Sequence, residues 1–178
     1  LELWIKSDLT SKLSIDESVA HNGICLTVVE IVGNTYRVTA IEETRKKTTI
    51  DFWKPGDEIN LETSLTLQDK LDGHQVQGHV DLIAVCSEKQ EMNGSWNFRF
   101  KYKPLESMHK AISKGSIAIN GISLTVVNPD IDEIGVSIIP YTYEHTNMKH
   151  ISPGSSVNLE FDIFGKYIHH YLKSYGVI

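Results

Sequence analysis

The chain repeats part of itself at a fixed distance. The segment SVAHNGICLTVV begins at Ser18, and SIAINGISLTVV begins 98 residues later at Ser116, with nine of twelve residues identical. PGDEINLE from Pro55 matches PGSSVNLE from Pro153 at the same distance. Only two long copies exist, which predicts a duplicated domain rather than a solenoid array.

Composition agrees with a duplicated globular chain. Its 178 residues would give two domains of about 90 residues each. There is no apolar run of about 18 residues and no secretory signal at Leu1, so we expect a soluble protein without a membrane span. The net charge of -6 argues against nucleic-acid binding. Cys25 and Cys86 lack CxxC spacing, which favours reduced thiols in a cytoplasm.

Short apolar and β-branched runs between turn residues predict antiparallel strands. ICLTVVEIVGNTYRVTAI reads as a hairpin in which Gly33 and Asn34 supply positive φ, and Asn93-Gly94 marks a second hairpin. The PG segments read as turns that lead into the last strand of each half. The pattern predicts an all-β fold of two small antiparallel barrels. Short helical pieces fit DLTSKL and PLESMHKAIS.

The C-terminal segment DIFGKYIHHYLKSYGVI predicts an amphipathic helix with Asp162 as its N-cap. Its apolar residues fall at helical spacing: Phe164, Ile168, Tyr171, Leu172 and Tyr175. No counterpart exists in the first half. This stripe either covers a barrel end or associates with copies of itself.

The repeat also predicts domain limits. The second half starts near Gly73, with GHQVQGHVDLIAV as its first strand, and subtracting 98 places the equivalent point before Leu1. We therefore expect the first barrel to lack its opening strand. The predicted units are residues 1–66, residues 67–161 and a helix at 162–178.

The sequence resembles riboflavin synthase of the duplicated β-barrel type over essentially the whole chain. The motifs that carry the resemblance are SVAHNGICLTV, GHQVQGHVD, KGSIAINGISLTV, IPYTYEHT and GSSVNLEFD. The resemblance implies two tandem Greek-key-like six-stranded antiparallel barrels and a C-terminal α-helix. Family members usually begin with an MFTG-type segment in the first barrel, and we expect this chain to lack it.

The resemblance also implies a reaction. Two molecules of 6,7-dimethyl-8-ribityllumazine exchange a four-carbon unit, without cofactor or metal, to give riboflavin and 5-amino-6-ribitylamino-pyrimidinedione. Each half would hold one lumazine. The site would lie between the first barrel of one subunit and the second barrel of another, in a homotrimer held by the C-terminal helices. The alternative is a non-catalytic lumazine or flavin antenna of the same fold.

The repeat changes Cys25 to Ser123 inside a matched block. One lumazine must act as donor and the other as acceptor, so identical pockets would be poorly differentiated. Cys25 offers a polarizable thiol, whereas Ser123 offers a hydroxyl that donates and accepts hydrogen bonds. Residues two apart on a strand face the same side, which groups Thr27 with Cys25 and Thr125 with Ser123. The alternatives are a small buried cysteine and ordinary β-propensity of the threonines.

The substrate-contact positions implied by the resemblance fall on both halves. In the first half they are Cys25, Leu26 and Thr27, then Thr39, Ala40, Ile41, Glu42, Glu43 and Thr44 on the returning strand. In the second half they are Gly78, His79, Val80, Lys114, Ser123, Leu124, Thr125, Ile139, Pro140, Tyr141, Thr142, Tyr143 and Glu144. The catalytic candidates among them are Cys25, His79, Lys114 and Ser123.

Two histidines and one lysine carry specific expectations. His74 and His79 have HxxxxH spacing, but residues five apart on a strand face opposite sides and no further ligand set accompanies them, so we predict no metal. His79 suits a general base or hydrogen-bonding group near neutral pH. Lys114, whose repeat partner is Asp16, would contact the ribityl chain or the ring, or is a solvated turn residue.

This chain departs from the family pattern at one rim of the second half. PYTYEHT stands where members usually read close to PETLERT, so that Tyr141 replaces an acid and Tyr143 replaces a leucine. We expect the change to alter the rim of the pocket.

Overall fold

The first half forms an open antiparallel sheet. The computed structural model describes residues 1–105 and 109–177. The strands of this sheet are β1 (Glu2–Lys6), β2 (Ser18–His21), β3 (Ile24–Val32), β4 (Thr35–Thr39) and β5 (Leu61–Thr63). They pair in the order β1-β4-β3-β2-β5. A 3-10 helix at Asp8–Lys12 follows β1, where a short helical piece was predicted.

The second half forms a closed barrel. Its strands are β6 (Leu82–Met92), β7 (Ser95–Lys101), β8 (Ser116–Ile119), β9 (Ile122–Val127), β10 (Glu133–Ile138) and β11 (Ser156–Phe161). The order is β10-β7-β6-β11-β8-β9, and β9 pairs back with β10. Strand β6 closes the wall because it pairs with both β7 and β11.

The prediction of two six-stranded barrels is therefore right for the second half and wrong for the first. Lys6 pairs with Thr35 as Lys101 pairs with Glu133, which makes β1 the counterpart of β7. Within the described residues, the first sheet contains no counterpart of β6. Strands β1 and β5 are consequently the edges of this sheet.

Two local predictions also need correction. Positive φ in the first hairpin occurs at Gly33 (φ 60) and not at Asn34, which matches the sign pattern of a type II′ turn rather than type I′. The predicted strand from Gly73 begins only at Leu82. Gly78 has φ 78, which breaks an extended strand.

Short helices follow β4 and β10 in matched positions. They are α1 (Glu42–Lys47) and α2 (Pro140–His145), so Glu42, Glu43 and Thr44 do not lie on a returning strand. The ion pairs of Glu42 with Lys46 (2.6 Å) and Glu43 with Lys47 (2.8 Å) are i,i+4 pairs that favour a helix.

Thr48 and Thr146, which lie 98 residues apart in the repeat, join each short helix to the turn that follows it. The hydroxyl of Thr48 donates to the carbonyl of Thr44 at 2.8 Å and accepts the N–H of Ile50. Thr146 donates in the same way to Thr142. The hydroxyls of Thr48 and Thr146 therefore have a structural role.

The C-terminal helix α3 (Ile163–Ser174) begins as predicted. Asp162 caps it by accepting the N–H of Phe164 at 3.0 Å. None of the described helices is long and apolar enough to cross a membrane. The other predicted helical piece, PLESMHKAIS, lies partly outside the described residues, and residues 104–105 and 109–113 carry no helix.

The two halves contact each other through matched residues of the repeat. Gly23 and Gly121 stack so closely that a Cβ on either would lie 2.7 Å from the backbone nitrogen of the other. The side-chain oxygens of Asn60 and Asn158 each accept a backbone N–H from the other half, both at 2.8 Å. The contact is pseudo-symmetric, and it fixes the starts of β3 and β9 beside each other.

Candidate functional site

The outer faces of β3 and β9 carry the predicted polar residues. Leu26 is buried in the core of the first half, whereas Cys25 is partly exposed and Thr27 is exposed. On β9, Ser123 is partly exposed and Thr125 is exposed. The side chain of Leu26 points away from this face, so any contact with a ligand there would use its backbone.

The segment between the two halves crosses back over Cys25. The N–H of Cys25 donates to the carbonyl of Gly78 at 2.9 Å, and a Cβ on Gly78 would lie 2.8 Å from Cβ of Cys25. Val80, two residues later, packs against the core of the first half. Although the resemblance assigned Gly78 and Val80 to the second half, the fold places them against the first.

Gly78→Ala is expected to displace this segment. Alanine at φ 78 is strained by about 1 to 3 kcal/mol, and its methyl group would collide with Cys25. Gly94→Ala is the matched control, because Gly94 has φ 89 and open space around the added methyl. Thermal unfolding and turnover measure the two effects. Equal losses of turnover in both variants would contradict a specific role of the Gly78 contact.

His74 forms a hydrogen-bonded pair with Ser123. Nδ1 of His74 lies 2.7 Å from Oγ of Ser123, and the backbone N–H of His74 donates to the same oxygen at 3.2 Å. Burial lowers the pKa of His74 below its ordinary value, while the charge of Asp162 opposes that shift. A neutral imidazole can then accept a hydrogen bond from the Ser123 hydroxyl through Nδ1. This places its own proton on Nε2, which is buried and has no hydrogen-bond partner.

Glu160 holds the segment that covers Cys25. Its carboxylate accepts the N–H groups of Gln77 at 2.7 Å, Gly78 at 3.0 Å and His79 at 3.0 Å. Burial raises the pKa of Glu160, and the bonds from Gln77 and His79 oppose that shift. These three donors cannot join a strand ladder, which is the physical reason that the predicted first strand starts late. The side chain of His79 is exposed.

A second anchor holds the end of the same segment. Asp81 accepts the N–H of Phe161 at 2.8 Å and pairs with Lys166 of α3 at 2.6 Å. Both ionic side chains are largely buried. The C-terminal helix is thereby tied to the segment that carries Gly78 and His79.

The predicted stretches 39–44 and 139–144 surround the starts of α1 and α2. A cleft of about 350 Å³ beside α1 is lined by Ala40, Glu42 and Arg45 among others, a volume within the range of small-molecule sites. A larger cleft of about 670 Å³ lies between the halves. Its lining contains none of the predicted site residues, and its asparagines bond one another, so we favour the smaller cleft.

Lys114 and its repeat partner Asp16 occupy the same turn. Lys114 has φ 63 and donates its N–H to Val126, and Asp16 has φ 70 and donates to Val28, both at 2.9 Å. The two turns differ in side-chain charge and not in backbone. A role for the Lys114 ammonium group thus stays a prediction.

Comparison with known proteins identifies the family. The family model described as "Lumazine binding domain" matches residues 1–64 and again residues 77–162. Riboflavin synthase of Actinobacillus pleuropneumoniae is 40% identical over 158 residues, which cover 89% of this chain and 73% of that protein. The chain belongs to the riboflavin synthase family. The Bacillus subtilis member is 34% identical, over 97% of this chain and 80% of its own length.

Solved structures share the fold. LumP complexed with riboflavin superposes with a TM-score of 0.80 at 24% identity, over 89% of this chain and 86% of that one. LumP complexed with 6,7-dimethyl-8-(1'-D-ribityl) lumazine gives a TM-score of 0.80 at 23% identity, over 90% and 87% of the two chains. At this level of identity, the likeness to these structures supports the fold of this chain and carries no argument about its function.

The site residues predicted from the sequence of this riboflavin synthase family member did not include His74. His74 was weighed only as a metal ligand. A usable signal was present, because the Gly-His pair occurs at 73–74 and again at 78–79. Gly73 packs on Ser123, where a Cβ would lie 2.7 Å from Oγ, and Gly78 packs on Cys25. Each glycine thus contacts one member of the Cys25 and Ser123 pair, which occupies equivalent positions of the repeat.

The tyrosines that depart from the riboflavin synthase pattern have different surroundings. The ring of Tyr143 stacks on Trp96 with 3.9 Å between centroids, and the ammonium group of Lys89 lies 5.0 Å from the Tyr143 centroid. Tyr143 is therefore partly buried and packs against the core of the barrel. Tyr141 is 68% exposed and stacks on His145 at 4.1 Å, so it is free to alter the rim.

Proposed function

We propose that the chain converts two molecules of 6,7-dimethyl-8-ribityllumazine into riboflavin and 5-amino-6-ribitylamino-pyrimidinedione. A four-carbon unit leaves one lumazine and joins the other, so the atoms balance without a further reactant. The observation that carries this proposal is the double match to the lumazine binding domain together with relatives named riboflavin synthase. The enzyme would act mainly by holding two rings face to face, which is worth several kcal/mol.

We place one lumazine on each half of the chain. Residues 1–66 would present Cys25 and Thr27, and residues 67–161 would present Ser123, Thr125 and Lys114. The contact of Gly78 with Cys25 brings His79 to the first half, where it would act as a base or a hydrogen-bond donor. Both cysteines of the chain are free, which fits a reducing cytoplasm.

The two lumazine sites would meet in a homotrimer. The stripe on α3 is exposed in the single chain, with Phe164 at 66%, Ile168 at 60% and Tyr171 at 57% exposure. It does not cover a barrel end. Exposed apolar area of this kind supports self-association through residues 162–178.

Charged substitutions in the stripe are expected to dissociate the assembly. Ile168→Glu combined with Leu172→Glu should yield a smaller species in sedimentation and weak activity, because a charge buried between helices is costly. Lys173→Gln on the same helix should leave both unchanged. An unaltered sedimentation coefficient in the double variant would overturn the proposed interface.

The alternative is a non-catalytic lumazine or flavin binder of the same fold. Incubation with the lumazine separates the two functions. We expect riboflavin absorbance to appear, with one riboflavin formed for every two lumazines consumed. Tight lumazine binding without riboflavin formation would favour the antenna.

A further inference from the structure

Glu160 differs from its repeat partner in surroundings and not in identity. Glu160 on β11 is 4% exposed, whereas Glu62 on β5 is exposed. Both end the same NLE motif. The difference arises because the segment between the halves lies over Glu160 and gives its carboxylate three successive N–H donors.

The three hydrogen bonds fix a segment that touches the first half. Gln77, Gly78 and His79 are held through their backbone, so their positions do not depend on their side chains. The carbonyl of Gly78 in turn accepts the N–H of Cys25 at 2.9 Å. Two consecutive hydrogen bonds therefore connect the last strand of the second half with Cys25 on the first.

We propose that Glu160 is a positioning residue, which holds residues 77–79 so that Gly78 stays against Cys25 and His79 keeps its place beside it. The carboxylate suits this task because its two oxygens have enough lone pairs for all three donors. A charge-assisted bond to a backbone N–H is also stronger than a neutral one. The expected effect of Glu160 on turnover rests on the proposed function. Its expected effect on the accessibility of Cys25 does not.

Glu160→Gln tests the role with little change of shape. The amide keeps one accepting oxygen and turns its NH2 group toward N–H donors, so at least one of the three bonds is lost. We expect kcat to fall about tenfold, with KM changed by less than twofold. Glu160→Asp keeps the charge and should recover part of kcat. Glu62→Gln is the matched control and should behave like the parent protein.

Alkylation of Cys25 provides a readout without turnover. Iodoacetamide should modify Cys25 several-fold faster in Glu160→Gln, because Cys25 is only partly exposed and a loosened Gly78 opens the space around it. Cys86 is buried and serves as an internal reference within the same molecule. The measurement is made well below the unfolding temperature of each variant, so that a difference in stability does not enter.

The outcomes separate the two proposals. Unchanged kcat and unchanged alkylation in a folded Glu160→Gln variant would overturn the role of Glu160. A loss of activity that follows the unfolded fraction, with normal alkylation of folded molecules, would overturn it as well. Faster alkylation of Cys25 in Glu160→Gln than in the parent protein, together with a parent protein that forms no riboflavin, would support the positioning role and reject the proposed function.

Discussion

Lowering the pH from 6.5 to 4 is expected to weaken the first half of the protein through His21. His21 is fully buried, with Nδ1 2.9 Å from the carbonyl of Val19 and Nε2 2.7 Å from the hydroxyl of Tyr36. Burial lowers the pKa of His21 to about 4, although the backbone bonds to Val19 and Ile24 oppose the shift. The same burial raises the pKa of Tyr36, so both side chains stay neutral.

The direction of the effect follows from which state binds the proton. An unfolded histidine has a pKa near 6.5, so below that pH the unfolded chain binds a proton that folded His21 rejects until about pH 4. The contribution is complete above pH 6.5 and is lost as the pH falls toward 4. It amounts to about 3 kcal/mol in the free energy of unfolding.

The repeat supplies the variant that tests this pair. Ile119 and Ile134 stand at the equivalent positions of the second half, so that core has no such group. His21→Ile with Tyr36→Phe should remove the dependence on pH between 6.5 and 4 that comes from this site. Tyr36→Phe alone is the control, since it keeps the buried imidazole and should keep the dependence.

Urea unfolding at several pH values measures the difference. Trp4 and Trp53 belong to the first half and Trp96 to the second, so a Trp96→Phe background makes fluorescence report on the first half. His74, whose pKa is also lowered, stays the same in all variants and cancels. Parallel curves of stability against pH for parent and double variant would show that His21 is not the responsible group.

The internal repeat carried most of the fold prediction. Equivalent residues of the two halves form equivalent strands, as with Ser18 in β2 and Ser116 in β8. Closure was not predictable from patterning alone, since it depends on a strand that pairs with both β7 and β11.

The short helices escaped prediction because of their length. Six residues are too few to show a helical period in an apolar pattern. Local signals did exist, namely Pro140 at the first helical position and the pairing of Glu42 with Lys46 four residues later. The family resemblance placed residues 42–44 on a strand, and that placement outweighed these signals.

The contacts of the segment between the halves had no basis in the repeat. This segment has no second copy in the chain, so comparison of the halves says nothing about it. Its partners are far away in sequence, as with His74 and Ser123 or Gln77 and Glu160. Local periodicity cannot encode such contacts, and the structure was needed to show that Val80 packs on the first core.

Exchanging Cys25 and Ser123, which occupy equivalent positions of the repeat, should cost turnover far more than binding. Ser123→Cys replaces a hydroxyl whose oxygen lies 2.7 Å from Nδ1 of His74 with a longer, weaker hydrogen-bond donor. Cys25→Ser keeps a small polar group beneath Gly78 but removes the polarizable sulfur. We expect each substitution to lower kcat at least tenfold, on the order of 1.4 kcal/mol in the barrier.

The remaining cysteine provides the control for loss of a thiol. Cys86 lies in the core of the barrel, with Sγ 3.4 Å from the carbonyl of Glu88. Cys86→Ser should lower stability, because it buries a hydroxyl, and leave turnover of the folded protein unchanged.

Steady-state turnover and direct titration with lumazine on both variants decide between three explanations. A fall in kcat with affinity changed by less than tenfold supports separate roles for the two halves, because only an interaction stronger in the transition state behaves in this way. Equal losses of rate and affinity would assign Cys25 and Ser123 to uniform binding. Unchanged rates in both variants would show that the difference between Cys25 and Ser123 affects only packing. A group that contacts neither reacting ring can be exchanged without effect on the barrier.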